Sequence, residues 1–293
     1  MMKAAYYIFF ALNWLVTLLP LRILYITSDF LYYLLYYILS YRKKVVFENL
    51  RNSFPEKGEE EITELAKKYY RHFGDLIVEV LKLTHMSHRE LKKRMDVVNP
   101  EIIEKIYDSG RDIAAVVSHY NNWEWLGTSY VLYTRYKAVS VYKPIQNKYF
   151  NSFINNLRKK NGAGLAPMNK IVRSIVENRK NNVRNIYGFI SDQTPARVEI
   201  QYYTTFLNQE TPVFLGIEKL ASKYDMAVVF MSLRKVKRGH YQATAELLFE
   251  TTKDLPEYAV TEAHVKKLDE LIRENPEYWI WSHRRWKYKK SDQ

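Results

Sequence analysis

The longest apolar segment of the chain lies at its N-terminus. Residues 4–21 carry no charged side chain, and residues 23–41 are also largely apolar. As a helix rising about 1.5 Å per residue, the first stretch would be barely long enough to cross a bilayer core, and it contains Asn13 and Pro20. Residues 1–41 are therefore predicted to be a membrane anchor, either one spanning helix or a helical hairpin in one leaflet. A buried hydrophobic helix of the domain is the alternative, whereas the length of the apolar segment disfavours a cleaved signal peptide.

Beyond this segment, helical and strand patterns alternate and predict one α/β domain over residues 42–293. A helical lead-in covers residues 44–95, and an α/β core covers residues 96–293. Short β-branched runs predict strands, and amphipathic segments that begin with capping residues predict helices. The predicted strands are 113–117, 138–142, 185–190, 226–233 and 242–249, and the predicted core helices are 125–136, 147–160, 168–180, 211–221 and 261–274.

A candidate catalytic pair follows the first predicted core strand. His119 and Glu124 are five residues apart, so on one continuous helix they would point to different faces. A strand that ends before His119, followed by a helix capped by Asn121 or Asn122, would turn the chain and bring the two side chains together. The pair would then act as a general base oriented by a carboxylate. The alternative is a loop histidine without a catalytic role, beside a glutamate favoured by the helix dipole.

Composition narrows the chemistry and the partners. The chain has 293 residues, a formal net charge of +13 and no cysteine. Disulfides, thiol catalysis and cysteine metal sites are therefore excluded, and no histidine spacing of the H-E-x-x-H type predicts a metal site. The positive charge favours an anionic partner, which charge alone leaves open among nucleic acid, an anionic membrane and an acidic carrier protein. The 25 tyrosines and six tryptophans suit either a membrane interface or core packing.

Several motifs resemble one known family in order along most of the chain. The segment SHYNNWEW around His119 is similar to the H-x4-(D/E) block of the glycerolipid and lysophospholipid acyltransferase superfamily. It most resembles the lauroyl/myristoyl acyltransferases of lipid A biosynthesis. The other matching blocks are residues 49–51, 54–56, 71–74, 142–162, 192–193, 211–221 and 275–286. The last of these, NPEYWIWSHRRW, is long and specific, whereas Thr194-Pro195-Ala196 departs from the glycine that many relatives have after the Asp-Gln pair.

The resemblance implies a fold and roles for particular residues. The implied fold is a mixed central sheet flanked by helices, as in the αβα sandwich of glycerolipid acyltransferases. His119 would remove the proton of an acceptor hydroxyl, and Glu124 would orient its imidazole. Substrate contacts would come from Asn122, Lys143, Arg158, Asp192 and Gln193. For Arg158, a solvated cation near a helix C-terminus is the alternative.

The resemblance also implies the substrates and the location. The donor would be acyl-acyl carrier protein, with acyl-CoA as the alternative, and no other cofactor would be needed. The acceptor would be a lipid A precursor, with another glycolipid, an aminolipid or a lysophospholipid as alternatives. Arg42, Lys43 and Lys44 follow the predicted anchor, which places the catalytic domain on the cytoplasmic face of a bacterial inner membrane. An apolar groove for the acyl chain is expected, but neither its lining nor the chain length can be read from the sequence.

Two other function classes are weaker. A serine hydrolase would contain G-x-S-x-G, which is absent. A basic, membrane-anchored protein that binds nucleic acid or acts as a scaffold would account for the charge and the apolar segment. It would leave the motifs around His119, Arg158, Asp192 and the C-terminal tail unexplained, so nucleic acid is not expected as a partner.

Overall fold

The N-terminal apolar segment folds as two helices, and a proline separates them. The computed structural model describes residues 2–290, with side chains from residue 6. Helix α1, Met2–Val16, ends before Pro20, which immediately precedes helix α2, Leu21–Tyr33. The break frees backbone carbonyls, and Lys82 donates hydrogen bonds to two of them, those of Thr17 at 2.7 Å and Leu19 at 2.9 Å. The break is therefore built into the fold.

No single helix in residues 2–290 is both long enough and apolar enough to cross a membrane. One bent pair, Leu21–Ile38 with Lys43–Ser53, passes the same test of length and composition, with an angle of 88° between its halves. The expectation of one spanning helix is therefore wrong, because the break after Val16 divides the apolar run. Helix α2 buries one face, which carries Leu24 and Tyr25, against the rest of the protein.

The helical lead-in is as predicted, and it leads to a central sheet. Helix α2 continues as a π-helical turn, Leu34–Ile38, and the lead-in helices are α3, Lys43–Ser53, α4, Glu59–Lys82, and α5, His88–Arg94. The strands that follow are β1, Met95–Val97, β2, Ile113–Val117, β3, Lys137–Tyr142, β4, Gly164–Pro167, β5, Asn185–Ile190, β8, Ala227–Lys237, and β9, His240–Phe249; a hairpin of β6, Tyr203–Phe206, and β7, Gln209–Pro212, lies apart from the sheet.

The sheet has seven strands in the order β1-β9-β8-β2-β5-β3-β4. Only the β8–β9 pair is antiparallel, so the predicted mixed sheet flanked by helices is confirmed. The flanking helices are α6, Pro100–Asp108, α7, Trp123–Ser129, α8, Lys148–Lys159, α9, Ile171–Lys180, α10, Gly216–Tyr224, and α11, Ala259–Glu274.

Two predicted helices differ from the structure. Thr211 and Pro212, interpreted as a helix cap and first turn, end strand β7 of the β6–β7 hairpin. The two-residue loop of this hairpin, Leu207 and Asn208, has positive φ angles of 48° and 62°, as a tight hairpin turn requires. Helix α7 is also shorter than predicted, ending at Ser129 before a 3₁₀ turn, Tyr130–Leu132.

Strands β2 and β5 bring two of the predicted site residues together. They are parallel neighbours, with Val117 opposite Ile190 at their carboxyl ends. His119 lies two residues after Val117, and Asp192 lies two residues after Ile190, so the same register places them side by side. Ligands of open α/β sheets bind beyond the carboxyl ends of the strands, which is where this pair lies.

Candidate active site

His119 is held by a buried carboxylate, that of Asp192. The His119 Nδ1 atom lies 2.7 Å from Asp192 Oδ1, and the backbone N–H of His119 donates to Oδ2 at 2.8 Å. The Asp192 side chain is fully buried, whereas the His119 side chain is 17% exposed. A proton on Nδ1 facing this carboxylate leaves Nε2 as the basic nitrogen of the neutral ring.

The Asp192 carboxylate has a second buried donor. The indole Nε1–H of Trp279 donates to Oδ2 at 2.8 Å. Burial alone would raise the pKa of Asp192, but the charge of His119 and the hydrogen bonds from His119 and Trp279 lower this pKa below its ordinary value. Asp192 therefore stays ionised and can stabilise a positive charge that forms on His119.

The C-terminal tail completes the loop that carries His119. Tyr120 and Trp279 form an antiparallel bridge, and the backbone N–H of Asn121 donates to the carbonyl of Tyr278 at 2.9 Å. Asn121 has a positive φ of 52°, and its side chain donates to the carbonyl of Leu233 at 2.8 Å. The sequence identified this tail as a family motif but gave no role to Trp279.

Glu124 has a different partner from the one predicted. It lies in the first turn of helix α7, but its carboxylate accepts two hydrogen bonds from the guanidinium of Arg158 on helix α8, at 2.9 Å and 2.5 Å. Burial alone would lower the pKa of Arg158, and the hydrogen bonds and charge of Glu124 raise it above its ordinary value. The expectation that Glu124 orients His119 is therefore corrected, because Asp192 does so. Arg158 is an ion-paired, half-buried residue and not a solvated cation.

The structure also corrects the role of Asn122. Its side chain is 1% exposed, and its carbonyl oxygen caps helix α7 by accepting from the backbone N–H of Trp125 at 2.9 Å. Its amide nitrogen donates to Glu79 at 2.7 Å. Both ends of the Asn122 side chain are thus used within the protein, so its contacts support helix α7 and the loop that carries His119.

Glu79 is a buried residue beneath the site that sequence analysis did not identify. Its carboxylate accepts hydrogen bonds from Tyr25 of helix α2, Tyr241 of strand β9 and Asn122, each at 2.7 Å. Its backbone carbonyl accepts from the indole of Trp125 at 2.9 Å. Burial raises the pKa of Glu79. This residue therefore joins helix α2 and the sheet to the cap of helix α7, and the amphipathic pattern of helix α4 carries no signal of such a role.

An open cavity of about 230 Å³ lies beside His119. Five of the predicted residues border it: His119, Glu124, Lys143, Arg158 and Gln193. The amide nitrogen of Gln193, which also borders the cavity, lies 3.3 Å from His119 Nε2, so the basic nitrogen lies at the cavity wall. The cavity therefore combines one histidine with two cationic side chains, Lys143 and Arg158.

A family model described as bacterial lipid A biosynthesis acyltransferase matches residues 1–288. The chain belongs to this family. A search of curated proteins finds no match. Membership confirms the resemblance that the motifs indicated. It also implies that the protein is an acyltransferase enzyme. Among the residues that the structure describes, no three His, Asp or Glu side chains are grouped so that they could hold a metal ion.

Proposed function

We propose that this acyltransferase moves a fatty acyl chain from an acyl thioester to a hydroxyl group of a lipid A precursor. The observation that carries the proposal is the position of His119, whose Nδ1 is fixed by buried Asp192 while Nε2 lies beside Gln193 at the cavity wall. A base in this arrangement suits attack by a hydroxyl.

In the proposed reaction, His119 moves one proton. Nε2 takes the proton of the acceptor hydroxyl as its oxygen forms a bond to the thioester carbonyl carbon. The carbon–sulfur bond then breaks, and Nε2 returns the proton to the leaving thiolate. Asp192 stabilises the imidazolium between these two steps and keeps the ring in the productive tautomer. No covalent acyl-enzyme is required.

Glu124 and Arg158 take a supporting part in the proposal. Glu124 fixes the guanidinium of Arg158 at the wall of the cavity, and Lys143 adds a second cation. Both proposed substrates are anionic, since lipid A precursors and the phosphopantetheine arm of an acyl carrier protein bear phosphate. Arginine and lysine are the side chains that bind phosphate best. In this scheme the pair positions substrate, while His119 and Asp192 perform the proton transfer.

The proposed donor is acyl-acyl carrier protein, and acyl-CoA is the alternative. The formal charge of +13 suits either of these anionic donors. A lipid A precursor with four or five acyl chains is the proposed acceptor. Another glycolipid, an aminolipid or a lysophospholipid would require the same chemistry at His119.

The N-terminal helices are proposed to lie in the cytoplasmic leaflet of the inner membrane. Apolar side chains on this region are more than half exposed, among them Ile8, Leu12, Ile26, Phe30, Ile38 and Leu39. Such a face is typical of helices that lie in a membrane interface. Vesicles containing anionic lipid should carry the wild-type protein upward in a density gradient and should carry less of an Ile26→Asp, Ile38→Asp variant. Equal flotation of the two proteins would contradict this placement.

Mass spectrometry of reaction products tests the activity. Purified wild-type protein, given acyl-acyl carrier protein and a lipid A precursor, should add one acyl chain to the precursor. A His119→Ala variant should retain the fold, by circular dichroism, and form no product. Transfer by His119→Ala at the wild-type rate would overturn the mechanism. A His119-dependent product on a different lipid would keep the chemistry and change the acceptor, and no acylation of any lipid would favour a binding protein.

A further inference from the structure

The positive charge of the chain is concentrated at one end of the sheet. Residues 137–191, which form strands β3, β4 and β5 and helices α8 and α9, contain eleven Lys and Arg residues and one acidic residue, Glu177. This segment therefore carries a formal charge of +10, out of +13 for the whole chain. Strand β4 ends the sheet order, with β3 beside it, so the excess of positive charge lies at the β4 edge.

Five exposed cations of this segment have no carboxylate partner. Elsewhere on the surface, arginines are paired with acidic side chains, as Arg51 is with Glu59 and Arg135 is with Glu104. Within residues 6–290, by contrast, no ion pair includes Lys143, Lys148, Lys170, Arg173 or Lys180. Their charge is therefore available to an anionic partner.

Exposed apolar side chains lie among these cations. Four of them, at the mouth of the cavity beside His119 and on helix α9, are 39–52% exposed: Ile145, Met168, Val172 and Val176. Ile145 and Met168 border the cavity, and helix α9 begins three residues after Met168. On that helix Val172 and Val176 are four residues apart and lie on the same face. The exposed apolar surface therefore runs from the cavity onto helix α9.

Cations flank this apolar surface. Lys170 and Arg173 lie on either side of Val172 in the sequence, and Lys180 lies two turns beyond Arg173. Glu177 is the single carboxylate of the helix. An apolar centre with a charged rim is the usual anatomy of a protein–protein interface. We call this surface the docking face, and it consists of Met168, Lys170, Val172, Arg173, Val176 and Lys180.

The docking face lies across the sheet from the N-terminal helices. On strand β5 the Tyr187 hydroxyl lies 3.3 Å from the amide nitrogen of Asn178 on helix α9, whereas the next residue, Gly188, borders the cavity on the side of helix α7. Successive strand residues point to opposite faces, so α9 and α7 cover opposite faces of the sheet. Helix α8 packs against α7, and Phe153 of α8 contacts Phe9 of α1. The proposed membrane surface and the docking face are therefore on different sides of the molecule, which leaves the docking face to a partner from the aqueous phase.

We infer that the docking face binds an acidic acyl carrier protein and places its acyl thioester in the cavity beside His119. Carboxylates of the carrier meet Lys170, Arg173 and Lys180, and its thioester-bearing arm passes Met168 into the cavity. Complementary charge of this kind speeds association and fixes the orientation of the partner. This inference rests on the proposed acyl transfer and adds to it the surface that recognises the donor. Acyl-CoA has no protein surface with which to meet the docking face.

Binding of an acyl carrier protein tests the docking face without requiring transfer. The probe is a fluorescently labelled acyl carrier protein with its phosphopantetheine arm, and anisotropy measures its Kd. A Lys170→Glu, Arg173→Glu variant reverses two exposed charges, so we expect its Kd to rise about tenfold or more, because like charges then face each other. Raising the ionic strength should weaken the binding of the wild type more than that of the variant.

The matched control is a Lys105→Glu, Lys266→Glu variant. It makes the same change in net charge at two exposed positions on helices α6 and α11. These helices pack against strand β9, at the other end of the sheet from β4. This variant should bind the carrier with the wild-type Kd.

Transfer assays with two donors connect the docking face to the reaction. With acyl-acyl carrier protein as donor, kcat/KM of the Lys170→Glu, Arg173→Glu variant should fall by the same factor as its affinity for the carrier. With acyl-pantetheine, a thioester that has neither protein nor phosphate, this variant should transfer at the wild-type rate. Neither Lys170 nor Arg173 borders the cavity beside His119, so the chemistry itself should be unaffected.

The outcomes separate the docking face from the proposed function. An unchanged Kd in the Lys170→Glu, Arg173→Glu variant would overturn the inference, and so would an equal loss of affinity in the control variant. Loss of flotation with anionic vesicles at unchanged carrier affinity would assign the surface to the membrane instead. Carrier binding that depends on Lys170 and Arg173, without transfer from any thioester by the wild-type protein, would overturn the proposed function and leave the docking face in place.

Discussion

At the scale of single residues, the site depends on the contact of His119 with Asp192, whose carboxylate also accepts a hydrogen bond from Trp279. The sequence placed His119, Glu124, Arg158 and Asp192 around one cleft, because strand ends and family motifs locate them there. It paired His119 with Glu124 because these two are close in sequence. The structure pairs His119 with Asp192, which is 73 positions away. That pairing follows from the β2–β5 register, which the sequence of either strand alone does not encode.

Trp279 offers a test of how Asp192 is held. Trp279→Phe removes the indole N–H that donates to Asp192, so one hydrogen bond to the carboxylate is lost while two from His119 remain. We expect kcat to fall about tenfold with little change in KM, because this indole is buried and does not border the cavity beside His119. A lost hydrogen bond to a charged group corresponds to about 1.5–3 kcal/mol.

The neighbouring Trp281 provides the control for this substitution. Its indole is also buried, but it donates to the carbonyl of Pro276 and not to Asp192. Trp281→Phe should lower the free energy of unfolding by a similar amount and leave kcat near the wild-type value. Equal losses of kcat in both variants would show that Trp279 acts through stability alone.

At the scale of secondary-structure elements, the site depends on how helix α7 is fixed. Its start after Asn122 was predictable, since asparagine is a good helix cap. Its support was not, because Glu79 lies on helix α4 and Tyr25 on helix α2, far away in sequence. The β6–β7 hairpin was missed for a local reason, since Thr211-Pro212 also fits a helix start. Because Tyr25 of helix α2 donates to Glu79, the N-terminal region supports the active site and is also a candidate membrane surface.

Tyr25→Phe tests the connection between helix α2 and the active site. The substitution removes the hydroxyl that donates to Glu79 at 2.7 Å. We expect a loss of about 1–3 kcal/mol in the free energy of unfolding, because a buried carboxylate loses one of its donors. We also expect kcat to fall severalfold, since Glu79 holds the cap of helix α7.

Ser28→Ala is the matched change on the same helix. The Ser28 hydroxyl donates to Asp75 of helix α4 at 2.7 Å, and Asp75 also receives hydrogen bonds from Lys235 and Arg238. This variant should weaken the contact between α2 and α4 and leave kcat unchanged. If Tyr25→Phe also keeps the full kcat in detergent solution, helix α2 has no part in positioning the site.

At the scale of the whole molecule, three histidines are held in their neutral form: His72 and His264 are buried, and His283 is half-buried. Burial lowers the pKa of His264 and that of His283 to about 4, and it lowers the pKa of His72 well below its ordinary value. Between about pH 6.5 and pH 4 the unfolded chain binds protons that the folded protein does not. Stability therefore falls as the pH is lowered through this range.

His264→Gln should reduce this pH dependence. Because the side chain is 3% exposed, its neutral form accounts for about 3 kcal/mol of the stability lost between pH 6.5 and pH 4. Urea unfolding at both pH values measures the difference. His88→Gln, at an exposed position, should keep the wild-type pH dependence. A pH dependence that is the same in His264→Gln as in the wild type would contradict the assignment of a neutral buried His264.

The most direct test of the whole account is the transfer rate of an Asp192→Asn variant. An asparagine amide would donate to His119 Nδ1, so the neutral ring would carry its proton on Nε2 and could not accept one from the acceptor hydroxyl. We predict a fall of about 10²–10⁴-fold in the single-turnover rate, with donor binding unchanged and the fold intact by circular dichroism. A wild-type rate in Asp192→Asn, together with a large loss in Glu124→Gln, would contradict the account and restore Glu124 as the partner of His119.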